Sequence, residues 1–150
     1  MALIREIART DYVQWLSLWD GYNHFYGRSG PTALSDEITA TTWARFFDEM
    51  EPVHCLVAEL DGRLVGLTHY LFHRSTIAIG PVCYLQDLFT SADARGKGVG
   101  RGLIEAVYDC AGVAGATRVY WQTHETNRTA QRLYEQVAER SGFIVYRRSL

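Results

Sequence analysis

The feature that most constrains this chain is a short run in which glycine occupies every second position from Gly96 to Gly102. It lies between a β-rich segment and an apolar segment with helical spacing, which predicts a strand, a tight loop and a helix in succession. Glycine lets the backbone approach a ligand closely, and the free N–H groups and dipole of a helix N-terminus attract an anion. Arg95, Lys97 and Arg101 add positive charge. The run therefore predicts a phosphate-binding loop, and the alternative is a connection whose glycines only permit a sharp turn.

Two common phosphate-binding motifs fit this run less well. A P-loop needs a serine or threonine after its lysine, whereas Lys97 is followed by Gly98. The dinucleotide fingerprint needs glycine at position 101 or 103, which hold Arg101 and Leu103. Glu125 lies at a plausible distance for a ribose partner, so the dinucleotide site is disfavoured only by glycine spacing and by two helices that come first. Nucleotide hydrolysis and dinucleotide binding are the weaker interpretations.

Hydrophobic periodicity along the chain predicts a mixed α/β sheet with helices on both faces, in the order βααβββαβαβ. Asp61-Gly62 is the pair that best fits a tight type I′ hairpin between two of the strands. Asp11, followed three residues later by Gln14, predicts the start of the first helix. The predicted strands are 3–7, 54–60, 63–72, 82–90, 119–123 and 142–147, and the predicted helices are 11–26, 43–50, 103–114 and 127–140.

Bulk composition is that of an ordinary globular chain. The 150 residues predict a single domain spanning 1–150, and a formal net charge of −2 gives no global attraction to nucleic acid or to an anionic membrane. The three cysteines, Cys55, Cys83 and Cys110, lack CxxC spacing and lie in apolar stretches, which predicts reduced core thiols rather than metal ligands. With neither a signal-like segment nor a long apolar run, we expect a cytoplasmic protein without nucleic-acid or membrane partners.

The segment Arg95-Gly96-Lys97-Gly98-Val99-Gly100 matches Q/R-x-x-G-x-G/A, by which the GNAT family of N-acetyltransferases binds coenzyme A. Tyr84-Leu85-Gln86-Asp87-Leu88-Phe89, and Asn127 with Tyr134 seven residues later, resemble the polyamine and histone acetyltransferase branch. The resemblance runs almost end to end. It implies the GNAT fold and transfer of an acetyl group from acetyl-CoA to an amine, without a metal.

The resemblance also implies where the coenzyme binds. Backbone groups of Leu88, Phe89 and Thr90 correspond to the strand that pairs with pantetheine, and Asn127 corresponds to a coenzyme contact. Asn127 is equally an ordinary helix N-cap, and the two roles can coexist. The implied coenzyme-binding residues of the loop, which hold the pyrophosphate, are Arg95, Gly96, Lys97, Gly98, Val99, Gly100 and Arg101.

The reaction needs a proton acceptor for the amine and a donor for the departing sulfur. An alkyl amine with a pKa of about 10.4 is neutral in only roughly one molecule in a thousand at pH 7. By resemblance, the phenol of Tyr134 is the donor, the alternative being an aromatic core residue. The base is open, because Gln86 stands where the branch commonly has glutamate, and alternation turns Gln86 and Asp87 to opposite faces. Asp87 is a base, an ammonium anchor or a structural acceptor, with a water chain a further possibility.

The histidines are weaker candidates for the proton relay. His24, His69, His73 and His124 lack the spacing of a metal or triad set, so packed or exposed side chains are the better interpretation for each.

The segment Gly21-Tyr22-Asn23-His24-Phe25-Tyr26 resembles the acceptor side of the branch. The rings of Tyr22, Phe25 and Tyr26 can attract an ammonium group, although core packing explains them equally well. Tyr84 and Gln86 are further candidates for acceptor contacts. Polyamine, small amine, amino acid and protein lysine all remain open as acceptors.

Two further expectations concern catalysis and assembly. An acetyl-CoA-binding regulatory module that lost catalysis with Gln86 is the alternative function, distinguished by binding without turnover. The resemblance and the predicted terminal strand Phe143 to Arg147 favour a homodimer.

Overall fold

The computed structural model describes all residues from 1 to 150. The strands are β1 Leu3–Glu6, β2 Val53–Leu60, β3 Arg63–His73, β4 Val82–Thr90 and β5 Val119–Tyr120; the α-helices are α1 Tyr12–Phe25, α2 Asp36–Arg45, α3 Val99–Val113 and α4 Arg128–Val137. The mixed α/β class predicted from periodicity is confirmed. None of these helices is both long enough and apolar enough to cross a membrane.

The five strands form one sheet in the order β1-β2-β3-β4-β5. The first four are antiparallel to their neighbours, and β5 is parallel to β4. The predicted hairpin between β2 and β3 is confirmed, since Asp61 and Gly62 both have positive φ, at 52° and 76°, as a type I′ turn requires.

Two hydrophobic clusters sandwich the sheet. On the face covered by α1 the cluster is aromatic, with Trp15, Trp19 and Tyr22 packed against Val57 and Leu67. On the face covered by α3 it is aliphatic; its buried members include Val65, Leu85, Leu103, Ile104 and Val107. We call these the aromatic face and the aliphatic face.

The start of α1 is confirmed at Tyr12, but not by the side-chain caps that the sequence suggested. Asp11 makes no side-chain cap hydrogen bond to the helix. Its carboxylate instead accepts from Ala8 N at 2.7 Å and from the Arg5 guanidinium at 2.8 and 3.0 Å. Gln14 Oε1 accepts from Leu64 N at 2.8 Å, so both polar side chains tie the helix to the sheet.

The prediction for the second helix is wrong in its bounds. α2 begins at Asp36, capped by Ser35, and ends at Arg45, so Phe46, Phe47 and Met50 lie beyond it. Phe46 nonetheless packs 5.6 Å from Trp15, ring centroid to ring centroid. Phe46 therefore packs against α1 without belonging to a helix, whereas Met50 is 90% exposed.

The predicted terminal strand 142–147 does not form. From Ala138 onward the chain forms neither helix nor strand, and α4 ends at Val137 rather than Arg140. The side chains of Phe143, Ile144, Val145 and Tyr146 are 67–90% exposed. Local β propensity predicted the strand, but a strand requires a hydrogen-bonding neighbour, and β5 is only two residues long instead of the predicted five.

Candidate active site

An open edge of β4 forms the centre of the candidate site. β4 pairs with β3 along its whole length, but with β5 only at Cys83 and Tyr84. From Leu85 to Thr90 the edge on the β5 side therefore has no strand partner. A strand edge of this kind presents unpaired N–H and C=O groups, and Leu88, Phe89 and Thr90, the residues expected to bind pantetheine, lie on it.

The glycine run leads into α3, as predicted, but the helix begins at Val99 instead of 103, so Gly100 and Gly102 lie in its first turn. Gly98 is the N-cap with φ at 80°, in the left-handed region. The first helical hydrogen bond runs from Gly102 N to Gly98 O at 3.0 Å, so the amides of Val99, Gly100 and Arg101 have no helical acceptor. These amides are available to an anion at the positive end of the helix dipole.

The cationic side chains around this N-terminus differ in their partners. Arg101 pairs with Glu105 at 3.1 Å, and both are exposed. Arg95 Nε donates to Thr90 O at 3.2 Å, which ties the loop back to the end of β4. Lys97 makes no ion pair within the chain. The loop therefore offers free amides and one uncommitted ammonium, a donor set that fits a pyrophosphate.

Tyr134 lies on α4, and Asn127 immediately precedes that helix. Asn127 is the N-cap, its Oδ1 accepting from Ala130 N at 3.3 Å, so the N-cap interpretation is correct. Leu133 Cδ2 would lie 3.4 Å from a Cβ placed on Gly100, so α4 packs directly on the glycine loop. The Tyr134 ring is 5.4 Å from that of Trp121. Burial raises the pKa of Tyr134 to about 12, with a smaller contribution from the nearby phenol of Tyr26, so the phenol holds its proton at neutral pH.

Asp87 reaches the aromatic face because β4 bulges at Gln86. Asp87 is opposite His69 and Leu85 is opposite Tyr70, which leaves Gln86 without a cross-strand partner. Leu85 and Leu88 belong to the aliphatic face, whereas Asp87 contacts His69 on the other side. The regular alternation assumed from sequence does not hold here, as is usual at a β-bulge.

Asp87 belongs to a buried polar network that the sequence did not reveal. His69 Nδ1 is 2.9 Å from Asp87 Oδ2, and Trp15 Nε1 donates to His69 Nε2 at 3.1 Å. An indole N–H can only donate, so Nε2 is the acceptor and the imidazole proton is on Nδ1, donated to Asp87. The Tyr22 phenol neighbours Asp87, and burial together with this carboxylate raises the pKa of the phenol.

The other predicted acceptor residues lie at the end of α1 and on β4. Tyr26 and Phe25 are 44% and 58% exposed at the end of α1. Gln86 is exposed, and Tyr84 accepts a hydrogen bond from Gln122 at 3.0 Å. A methyl group on Gly21 would come within 2.9 Å of Phe89 Cζ, so α1 lies directly against the β4 segment expected to hold the coenzyme.

Three of the histidines considered as relays make no hydrogen bond to Asp87. His73 Nε2 contacts the Tyr120 hydroxyl, His124 Nδ1 contacts Thr126, and His24 is exposed. His69 is packed, as expected, yet it is also the hydrogen-bond partner of Asp87. Its pairing depends on the β3–β4 register and the bulge, and no local sequence signal marks it. No group of three or more His, Cys, Asp or Glu side chains is arranged to hold a metal ion.

Comparison with known proteins agrees with this geometry. A sequence model of the Acetyltransferase (GNAT) family matches residues 15–138. The D-amino-acid N-acetyltransferase HPA3 of Saccharomyces cerevisiae is 36% identical over 149 residues, covering 98% of this chain and 90% of the yeast protein. The thialysine N-epsilon-acetyltransferase of Bos taurus is 29% identical over 141 residues, covering 89% and 81%.

The fold has counterparts among solved structures. The aminoglycoside N-acetyltransferase AAC(6')-Iy, in complex with the bisubstrate analogue CoA-S-monomethyl-acetylneamine, superposes with a TM-score of 0.81 at 19% identity, covering 100% of this chain and 99% of that one. The chain belongs to the GNAT acetyltransferase family. It is an acetyl-CoA-dependent N-acetyltransferase.

Proposed function

We propose that the protein transfers acetyl from acetyl-CoA to the primary amine of a small molecule, by direct attack of the amine within a ternary complex. The observation that carries the proposal is the open β4 edge, with the loop amides at one end and Asp87 and Tyr134 on its two sides. The amine nitrogen bonds to the acetyl carbon, the carbon–sulfur bond breaks, and the sulfur leaves as a thiolate.

Coenzyme binding is assigned mainly to backbone. Leu88, Phe89 and Thr90 pair with the pantetheine arm along the free edge, and residues 96–101 hold the pyrophosphate through amides, helped by Lys97. The side-chain oxygen of Asn127 accepts from Ala130 N, and its side-chain NH2 group contacts the coenzyme. These assignments are supported by the unpaired β4 edge and by the free first turn of α3.

Tyr134 is assigned as the proton donor to the leaving sulfur. Its phenol is partly buried, keeps its proton at neutral pH, and belongs to the helix that packs on the glycine loop. Asp87 is assigned as the anchor for the acceptor ammonium, because His69 donates to its carboxylate and holds it in place beside the Tyr22 phenol. Solvent water then takes the amine proton, since Gln86 has no basic group.

A small amine is the acceptor class that the relatives favour. The relatives named above are described as acting on D-amino acids and on thialysine. An aromatic wall at the end of α1 is formed by Tyr22, Phe25 and Tyr26, and Tyr84 and Gln86 lie on β4. This combination suits a compact molecule with one amine.

The test is an acceptor screen that reports free coenzyme A thiol, run with amino acids, polyamines, aminoglycosides and a lysine-containing peptide. We expect turnover with a subset of the small amines. Tight binding of acetyl-CoA without turnover of any amine would instead support the regulatory module. Equal affinity for ATP, NAD and acetyl-CoA would contradict the coenzyme assignment.

We further propose a homodimer in the cytoplasm. The support is the exposed apolar segment 143–146 together with the unpaired outer edge of β5, two surfaces that a second copy can cover by adding a strand. The free thiols of Cys55, Cys83 and Cys110 suit a reducing compartment. Light scattering at micromolar concentration should give a dimer, and a chain ending at Arg140 should give a monomer. A monomeric full-length chain would overturn the proposal.

A further inference from the structure

Arg28 is held over the end of α1 by a buried asparagine. Its backbone N–H donates to Asn23 O at 2.8 Å, and its Nε donates to Asn23 Oδ1 at 2.7 Å. Asn23 is only 5% exposed, and its Nδ2 donates in turn to Trp19 O at 2.9 Å. The chain therefore fixes the guanidinium in one position instead of leaving it on a flexible surface stem.

The guanidinium lies against two rings of the aromatic wall. Its central carbon is 5.7 Å from the centroid of Tyr22 and 5.3 Å from that of Tyr26. Arg28 thus covers ring surface that was predicted to attract a cationic substrate. A polyamine at this position would meet a fixed positive charge rather than an open aromatic face.

Arg28 has no carboxylate partner within the chain. Arg5, Arg63 and Arg101 each pair with an acid at 3.1 Å or less, whereas the only side chain that Arg28 contacts by a hydrogen bond is the neutral Asn23. Its two terminal amino groups are left free. Two parallel N–H donors on a fixed plane match the two oxygens of a carboxylate.

An opposite charge lies near the same ring. The Asp87 carboxylate neighbours the Tyr22 phenol, and the Arg28 guanidinium lies against the Tyr22 ring. A carboxylate paired with His69 and a guanidinium held by Asn23 are therefore both close to one phenol. This pair complements an acceptor with both an ammonium and a carboxylate.

We propose that Arg28 determines acceptor specificity by binding the carboxylate of an amino acid, while Asp87 attracts its ammonium group. The proposal rests on the acetyl transfer proposed above and narrows its acceptor class from small amines to amino acids. Polyamines and other amines without an acid group are poor acceptors for the same reason.

The experiment compares matched acceptors that differ only in the carboxylate: phenylalanine of either hand against 2-phenylethylamine, and lysine against 1,5-diaminopentane. We expect the wild-type protein to prefer the acids in kcat/KM.

Arg28→Met keeps most of the stem of the side chain and removes the charged guanidinium. It should lower kcat/KM for the acids by about 10–100-fold, mainly through KM, the scale of a hydrogen bond to a charged group. The amines lacking the acid should change less than about threefold. Arg28→Lys should restore part of the loss, because it keeps the charge without the fork.

Arg9→Met is the control variant. Arg9 also stacks on a ring, 4.5 Å from the centroid of Phe47, but it precedes α1 and is far along the chain from Asn23. Arg9→Met should leave kcat/KM unchanged for both kinds of acceptor. Equal losses for acids and matched amines in Arg28→Met, or a wild-type preference for the amines, would overturn the proposal.

A measurement on the wild-type protein alone covers the case in which Arg28→Met does not fold. 3-Phenylpropanoate should compete with the acceptor, and 3-phenylpropanamide, which lacks the charge, should not. Equal competition by both would overturn the role of Arg28. Failure of the wild-type protein to acetylate any amine would count against the proposed function itself, which makes the two failures distinguishable.

Discussion

The two faces of the sheet are built from different side chains and hold different kinds of polar group. The aromatic face buries Asn23, His69 and Asp87 among tryptophans and tyrosines, each with a hydrogen-bond partner. The buried members of the aliphatic cluster are Val, Leu, Ile and Ala with one Tyr and one Cys. The groups that it offers to an anion are the unpaired backbone amides at the N-terminus of α3.

This difference between the two faces suits a small domain that binds two ligands. A coenzyme of constant structure can be bound by backbone, which needs only a rigid support and glycine at the right places. An acceptor that varies between relatives must be selected by side chains, and buried polar side chains need partners to avoid a desolvation cost. On this view, changes on the aromatic face alter acceptor choice, and changes on the aliphatic face alter coenzyme binding.

Tyr134 is the exception, because it is proposed as a reacting side chain on the aliphatic face, and changing it should have the largest effect. Tyr134→Phe keeps the ring against Trp121 and removes the proton. The chemical step should slow by about 10²–10⁴-fold, the usual scale for a positioned acid, with little change in stability or coenzyme affinity. Single-turnover kinetics measure this directly, and an acetyl donor with a more acidic thiol should rescue part of the loss.

Tyr108→Phe is the matched control for that variant. Tyr108 is on the same face, but its hydroxyl donates to Val137 O at 2.8 Å and ties α3 to α4. We expect it to cost about 1 kcal/mol of stability and to leave the chemical step nearly unchanged. Full turnover by Tyr134→Phe, or a rate loss matched by Tyr108→Phe, would remove the proposed role.

The second prediction concerns the backbone of the coenzyme loop. Gly98 has φ at 80°, and a side chain added there would meet no atom within 4 Å, so the cost of Gly98→Val is backbone strain rather than a clash. A left-handed conformation costs an ordinary residue about 1–2 kcal/mol. Relief of that strain displaces the amides and should weaken acetyl-CoA binding by about tenfold or more, measured by calorimetry.

Gly112→Ala provides the comparison within the same helix. Gly112 lies near the other end of α3, has no positive φ, and also has open space around it. Alanine there should stabilise the helix by about 0.5–1 kcal/mol and leave coenzyme affinity unchanged. Unchanged acetyl-CoA affinity in a folded Gly98→Val protein would contradict the loop assignment.

The smallest predicted effect distinguishes packing from hydrogen bonding on the aromatic face. Trp15 and Trp19 stack with ring centroids 6.0 Å apart, but Trp15 Nε1 donates to His69 and Trp19 Nε1 has no partner. Trp15→Phe leaves His69 Nε2 unpaired in the core. Its free energy of unfolding should fall by about 1–3 kcal/mol more than that of Trp19→Phe. Urea unfolding measures both variants. Equal losses would mean that the hydrogen bond to His69 adds nothing to stability beyond the volume of the tryptophan side chain.

Local chemistry in the sequence was enough for several features of the fold. The Asp61-Gly62 pair permits positive φ at two successive residues, so the hairpin and its flanking strands were predicted closely. The bounds of β4 were predicted correctly, because Pro81 precedes it and a long β-rich run follows. The glycine run predicted the N-terminus of α3, since its conformation depends on residues a few positions apart.

Long-range pairing decided the rest, and the sequence alone could not supply it. Periodicity assumes a regular strand, but the bulge at Gln86 moves Asp87 to the aromatic face, where His69 from a different strand becomes its partner. Residues 142–147 have the composition of a strand and no neighbour to pair with. Arg28 appears in the sequence as one more surface cation, and only the folding of the chain onto Asn23 places it over two rings. For Asp87 and for residues 142–147 the deciding partners are far apart in the chain, so the tertiary structure determined the outcome. The partners of Arg28 are within six residues of it, and the turn after α1 brings them together.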